Sequence, residues 1–242
     1  MEVYFYDWTI FGLVKSHVAS LHLMLDTCQR YQITRNLKKW MFCVPFRKLL
    51  GHVVCRQGLM VNLVKIAVIL NLEAPRSVKQ LRATLGHTGY YRNFIKGYAQ
   101  IIAPMEKLLK KDVTLCWNED CKKSLDVLKE KMVTAPILVF LDWKEFRVHV
   151  DASCIMLGAV LTKASGEDLD HPIAFASKRL SKAEKNYSTT KHKVLAMVYA
   201  LQKFRHYLLG GHFKMYTYHS AHNYLVNKPV LGGRICRWLL LL

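Results

Sequence analysis

The chain has 242 residues, 52% of them hydrophobic and 11% aromatic, enough for one large or two modest packed domains, which excludes disorder over most of its length. A formal charge of +19 at neutral pH points to a polyanionic partner, nucleic acid above all, with a basic surface that has no partner as the plainer alternative. Seven scattered cysteines argue against a disulfide framework, and no apolar run is long enough to cross a bilayer. Glu2 and Asp7 near the start leave no basic n-region, so no signal peptide is expected. Reduced thiols and no membrane segment together place the chain inside the cell, cytoplasmic or nuclear, with its oligomeric state open. It begins in a strand-like pattern and stops inside an apolar run, as a piece of something longer would.

Met1 to Leu13 reads as two short strands around Phe5-Tyr6-Asp7-Trp8. Val14 to Tyr31 has helical spacing, with Val18, Leu21, Leu25 and Cys28 recurring at three and four. Ile33 to Gly58 reads as short strands broken by Pro45 and Gly51, and Val61 to Leu72 as a short helix or extended segment ended by Pro75. Ser77 can cap a helix carrying Leu81, Leu85 and Thr88 on one face. Gly86 to Ile95 mixes small, aromatic and basic residues. Lys79, Arg82, Arg92 and Lys96 surround Tyr90, Tyr91 and Phe94, a set that suits phosphates and nucleoside faces. A helix end packing its aromatics into a core explains Tyr91 and Phe94 at least as well. Ile101 to Leu109 reads as another short helix. Asn118 to Met132 reads as an amphipathic one capped by Asn118, with acids early and lysines late. Cys116 and Cys121 have no second pair, so zinc is not expected.

Pro136 marks a second unit. Strands are expected over Phe146–Val150, Leu157–Thr162 and Ile173–Ser177, followed by one long helix within Lys182 to Leu209, a strand over His212–Tyr218, and helices over Ser220–Val226 and from Arg234. Three antiparallel strands, a helix and a fourth strand make an α/β sheet with one parallel crossover. In Phe146 to Ala152, Val148 and Val150 share one strand face and His149 and Asp151 the other, with Cys154 to Gly158 as a turn. Aspartate disfavours strands. Asp151 is therefore either a solvated outward residue or a strand-borne metal ligand.

His149-Val-Asp-Ala-Ser153, His171 to Lys178, Tyr187-Ser-Thr-Thr190, Phe204 to Gly210 and Asn227-Lys-Pro-Val230 together resemble the ribonuclease H domain of Ty3/gypsy-type retrotransposon polyproteins. Leu50-Gly-His52, Gln80-Leu-Arg82, Gly86 to Phe94 and Ala103 to Leu108 resemble the end of the palm, and the thumb and connection, of the same elements' reverse transcriptase. The resemblance implies an α/β (α+β) chain in three parts: a partial palm over 1–74, a thumb/connection-like helical region over 75–135, and an RNase H-like mixed sheet with flanking helices over 136–242. The implied activities are RNA-directed DNA polymerase (a nucleotidyltransferase) and an endonuclease that hydrolyses RNA in RNA–DNA hybrids. The implied partners are such a hybrid or other nucleic acid, and the implied cofactor is Mg²⁺.

Carried over position by position, the resemblance also implies damage. Two Mg²⁺ ions held by several carboxylates activate water and stabilise the leaving oxygen. Asp151 retains the first carboxylate, but Lys193 stands at the helix ligand and Tyr218 at the ligand ending the fourth strand. A further acid would follow Leu242. In the polymerase hairpin Asp7 is kept and Tyr6 replaces its partner aspartate. Two unit charges about 4 Å apart interact by about 4 kcal/mol at an effective dielectric of 20, and a divalent ion doubles that. Lys193 thus opposes the metal it should ligate. Mg²⁺ held by Asp151 is expected to be weak at most, and hydrolysis absent or trace. Imidazoles of His149 or His219 would favour a softer ion. The basic nucleic-acid contacts are expected at Lys79, Arg82, Tyr90, Arg92 and Lys96. The alternative roles are a non-catalytic basic nucleic-acid-binding module or a remnant without a selected role.

Overall fold

The computed structural model describes residues 2–4, 7–10, 14–42, 44–111, 113–140, 146–164, 170–209 and 212–217. The chain divides into two compact units, residues 1–44 and 45–242. The expected boundaries at 74/75 and 135/136 both fall inside the second.

In the first unit, β1 (Glu2–Tyr4) and β2 (Asp7–Thr9) form an antiparallel hairpin that pairs Val3 with Trp8. Helix α1 (Val14–Arg30) buries Met24 and Cys28, one turn apart, with sulfur atoms 3.7 Å from each other. Strands expected from Ile33 onward start only at Phe46. Among the described residues between, a single 3-10 turn, Leu37–Lys39, is regular, and the Asn36 side chain caps it.

The second unit opens with an antiparallel meander of β3 (Phe46–Leu49), β4 (His52–Cys55) and β5 (Gly58–Val61). Five helices follow: α2 (Leu63–Leu70), α3 (Val78–Gly89), α4 (Tyr98–Ile101), α5 (Ala103–Lys107) and α6 (Glu119–Val133). Side chains of Asn62, Ser77 and Asn118 accept backbone N–H bonds at the starts of α2, α3 and α6. Such caps are worth about 1 kcal/mol each. The short helix expected over Ile101 to Leu109 is α5, with Pro104 as a first-turn residue, and α4 ends just before it at Ile101. Leu81, Tyr91, Ile95, Met105, Leu128 and Met132 are almost wholly buried and form this region's core.

A second core belongs to a four-stranded sheet of β6 (Phe146–Ala152), β7 (Met156–Ala164), β8 (Asp170–Arg179) and β9 (Phe213–Thr217), in spatial order β8-β7-β6-β9. The first three strands are antiparallel and β9 runs parallel to β6, which requires a crossover. The long helix expected within Lys182 to Leu209 is α8 (Thr189–Leu208), preceded by the short α7 (Lys182–Lys185), which ends at Asn186. Ser181 and Glu184 form a capping box on α7, and Ser188 caps α8, so two start signals lie seven residues apart. Ala196, Ala200, Phe204 and Leu208 form the buried stripe of α8, against the sheet core that includes Phe146, Val148 and Leu161. The two alanines permit close approach of helix to sheet. No helix among the described residues is long and apolar enough to cross a membrane.

Candidate active site and basic surface

Asp151 sits near the end of β6, opposite Gly158 of β7. Gly158 is thus a strand residue and not part of the turn expected there. Lys193 lies in the second turn of α8, on a stretch from His192 to Val198 that is buried throughout. The crossover helix brings the two residues together. Lys193 Nζ donates to Asp151 Oδ1 at 2.5 Å, and the Ala152 N–H donates to the same oxygen at 2.8 Å. The bond from Lys193 chiefly holds the Asp151 carboxyl below its ordinary value of 3.8. Burial opposes this, while the Ala152 N–H and the positive fields of Lys193 and Lys96 add to it. The lysine side chain is only 11% exposed and the aspartate 71%. This lopsidedness means the cation depends on the anion more than the reverse.

The donor chemistry does not suit Mg²⁺, which requires hard anionic oxygens in an octahedral set. One oxygen of Asp151 already accepts two N–H bonds, one of them from the Lys193 ammonium. No other described acid converges on it. Asp170 accepts from Arg147 Nη1 at 2.9 Å and His149 Nε2 at 2.6 Å. Glu184 is held by the Ser181 backbone N–H and by Lys178; burial pushes its carboxyl up, and these bonds bring it below its usual value. Among the described residues no three His, Cys, Asp or Glu side chains gather as a metal site. His149 faces Asp170 and stacks on Tyr216, with ring centroids 4.9 Å apart, and so does not serve Asp151. Tyr6, Tyr218 and His219 lie outside the described residues, and Asp7 falls in β2, paired with Tyr4.

The five basic and aromatic candidates do not gather at one point. Lys79 and Arg82 are exposed on α3. Tyr90 is 45% exposed, but its hydroxyl bonds the Leu50 carbonyl and its ring stacks on His52 at 4.9 Å. Tyr91 and Phe94 are buried, and Tyr91 donates to the Gly51 carbonyl at 2.7 Å. Arg92 and Lys96, both exposed, turn instead toward the sheet: Arg92 shares a cleft with Tyr199 and Lys203, and Lys96 acts on Asp151. Lys203 and Tyr199 escaped sequence reasoning because they lie in a helix identified by its core stripe. Their one-turn separation, off that stripe, was the available signal.

Residues 117–215 match the RNase H-like domain found in reverse transcriptase. Over 239 residues the chain is 35% identical to the retrovirus-related Pol polyprotein from transposon 297 of Drosophila melanogaster, covering 98% of this chain and 22% of that protein. It is 30% identical over 231 residues to the transposon Tf2-3 polyprotein of Schizosaccharomyces pombe, covering 93% of this chain and 17% of that one. The chain therefore spans about a fifth of the length of these curated relatives. The fold is shared with a foamy viral protease-reverse transcriptase solved with double-stranded DNA: TM-score 0.79, 22% identity, 95% of this chain and 41% of that one. The same viral protein solved with an RNA/DNA hybrid gives a TM-score of 0.77 at 21% identity, over 95% of this chain and 32% of that one.

Proposed function

We propose that this homologue of retrotransposon Pol polyproteins carries an RNase H-like domain whose metal centre has been replaced by an internal ion pair, leaving a retroelement-derived module without hydrolytic activity. The observation that carries the reading is the 2.5 Å contact between Lys193 Nζ and Asp151 Oδ1. In the parent chemistry both positions supply anions to divalent cations, one ion activating water and the other stabilising the leaving oxygen. Here the lysine ammonium takes up the charge of the remaining carboxylate. A cation placed beside Asp151 would have to expel a buried lysine first, and with Tyr218 in place of the strand-borne acid it would find no second carboxylate. Polymerase chemistry is compromised by the same kind of exchange, since Tyr6 replaces one aspartate of the hairpin that keeps Asp7. The resemblance assigns residues 1–74 to a partial palm, 75–135 to a thumb/connection-like region and 136–242 to the RNase H-like domain.

The test is cleavage of an RNA–DNA hybrid in Mg²⁺ and, separately, in Mn²⁺. No turnover above a buffer control is expected. Turnover that disappears in Asp151→Asn would overturn the reading.

A second reading has its own support. The chain carries a net +19, and Arg92 and Lys96 lie on the side of the helical region that faces the sheet, with the field of Lys96 reaching Asp151. A hybrid or other nucleic acid held along this surface needs no metal, only phosphates to neutralise. The fold's likeness to a reverse transcriptase solved with such ligands is in keeping with that role. Binding is expected to weaken linearly in log K against log salt, and a chain that fails to bind a hybrid at low salt would remove this second role.

A further inference from the structure

The helical region and the sheet meet along a seam where the Ala99 N–H donates to Ser177 Oγ at 2.9 Å and Arg179 reaches Glu106 at 3.7 Å. Beside the seam lies an open cleft of about 270 Å³, its mouth included, lined by Arg92, Asn93, Tyr98, Ser177, Tyr199 and Lys203 among others. A guanidinium and a lysine amine, Arg92 and Lys203, share this small space. Among the described residues no carboxylate pairs with either of them; the nearby acid Glu106 is engaged by Arg179.

Like charges brought to one partly desolvated wall raise each other's energy unless an anion joins them. Burial first, and then Arg92, hold the Lys203 ammonium below its usual value. Burial also raises the Tyr199 hydroxyl, with Arg92 opposing, and so keeps it a neutral donor. The remaining groups are complementary to a small oxyanion. Asn93 offers an amide, and Ser177 accepts from Ala99 while its own hydroxyl hydrogen stays available. A planar guanidinium fork beside a point-charge ammonium is the pair that proteins use for tetrahedral phosphates.

We propose that this cleft binds one phosphodiester of a nucleic-acid backbone between Arg92 and Lys203. The inference rests on the nucleic-acid reading and adds to it a position and two residues, Lys203 and Tyr199. The cleft straddles the seam, so a strand bound there would touch both the helical region and the RNase H-like sheet.

The experiment measures fluorescence anisotropy of a labelled RNA–DNA hybrid over roughly 50–200 mM salt, with the whole chain, where each lost phosphate contact reduces the salt slope by about one. The double variant Arg92→Gln/Lys203→Gln, which removes both cations from the one phosphodiester, is expected to bind more weakly and to lose about one from the slope. The charge-preserving Arg92→Lys/Lys203→Arg should keep the slope. Thermal unfolding accompanies each variant. If the double Gln variant does not fold, Arg92→Gln alone, at an exposed position, should still weaken binding and lower the slope, by less than about one because Lys203 remains. Binding by the unaltered chain with an unchanged slope in the Gln variants overturns the cleft and leaves the nucleic-acid reading standing. Failure of the unaltered chain to bind removes both.

Discussion

Two aspartates of the same sheet meet cations in opposite ways. Asp170, at the start of β8, is the sheltered member of its group: 21% exposed, with Arg147 and His149 at 24% and 32%. Asp151, near the end of β6, is 71% exposed while its lysine is 11% exposed. In the first cluster the anion is fixed by a guanidinium and an imidazole from positions 147 and 149 of β6, and Tyr216 stacks on the imidazole. In the second a buried cation is fixed by one anion at the surface. The contrast teaches that an acid's role is set by what reaches it across the fold. By residue type alone, Asp170 beside a histidine is as good a metal-ligand candidate as Asp151.

Reversing the charge at the second cluster should produce the largest effect. Lys193→Glu replaces an attraction by a repulsion between two carboxylates, and about 2–3 kcal/mol of stability should be lost in metal-free buffer. Mn²⁺ should restore part of it in that variant and none in the unaltered chain. Urea unfolding with and without Mn²⁺ checks this, and an equal Mn²⁺ response in both chains would contradict the ion-pair account. Next comes Asp170→Ala, which strips the anion from a half-buried guanidinium and an imidazole; about 2 kcal/mol is expected by the same measurement. Asp151→Ala should cost less, about 1 kcal/mol, because the lost partner is largely solvated even though the lysine is not.

The smallest effect is a pH dependence. Because Asp151 titrates lower in the folded chain than unfolded, its contribution is fully present above the ordinary carboxylate value of 3.8 and disappears as pH falls through the lower folded value. The stability difference between the unaltered chain and Asp151→Ala should therefore be flat from neutrality to about pH 4 and shrink below it. A difference that shrank on raising the pH instead would show that the carboxyl is not held by Lys193.

Much of the sheet was legible because its residues alternate cleanly: Val148 and Val150 inward, Arg147, His149 and Asp151 outward, with the parallel β9 following from a helix of the right length. Caps at Asn62, Ser77 and Asn118 were local signals of the same kind, two of them recognised and Asn62 passed over. The long helix within Lys182 to Leu209 was legible from its apolar period, but its start was not fixed, because Ser181 and Ser188 both offer start signals and only the second opens α8. At the site, the resemblance pointed to Lys193 as the residue at the expected helix-ligand position. That the lysine would turn inward onto Asp151 could not be seen, since the direction of a long flexible side chain depends on helix placement. The hub at Asp170 was invisible for the same reason: three residues from two strands, separated by more than twenty positions, meet only after the sheet forms.

One backbone junction governs more of the molecule than its size suggests. Leu59 and Leu138 exchange two hydrogen bonds, 2.7 and 2.9 Å long, and a side chain at Gly58 would fall on the Leu138 carbonyl. All five helices from α2 to α6 lie between those two leucines, so the chain leaves and rejoins almost the same point. The helical region is thus a closed excursion with its exit and entrance stitched together. Closing so long a loop carries an entropic penalty that grows only with the logarithm of its length. Any residue other than glycine at position 58 would unstitch the excursion at its base without touching a single side chain of either core.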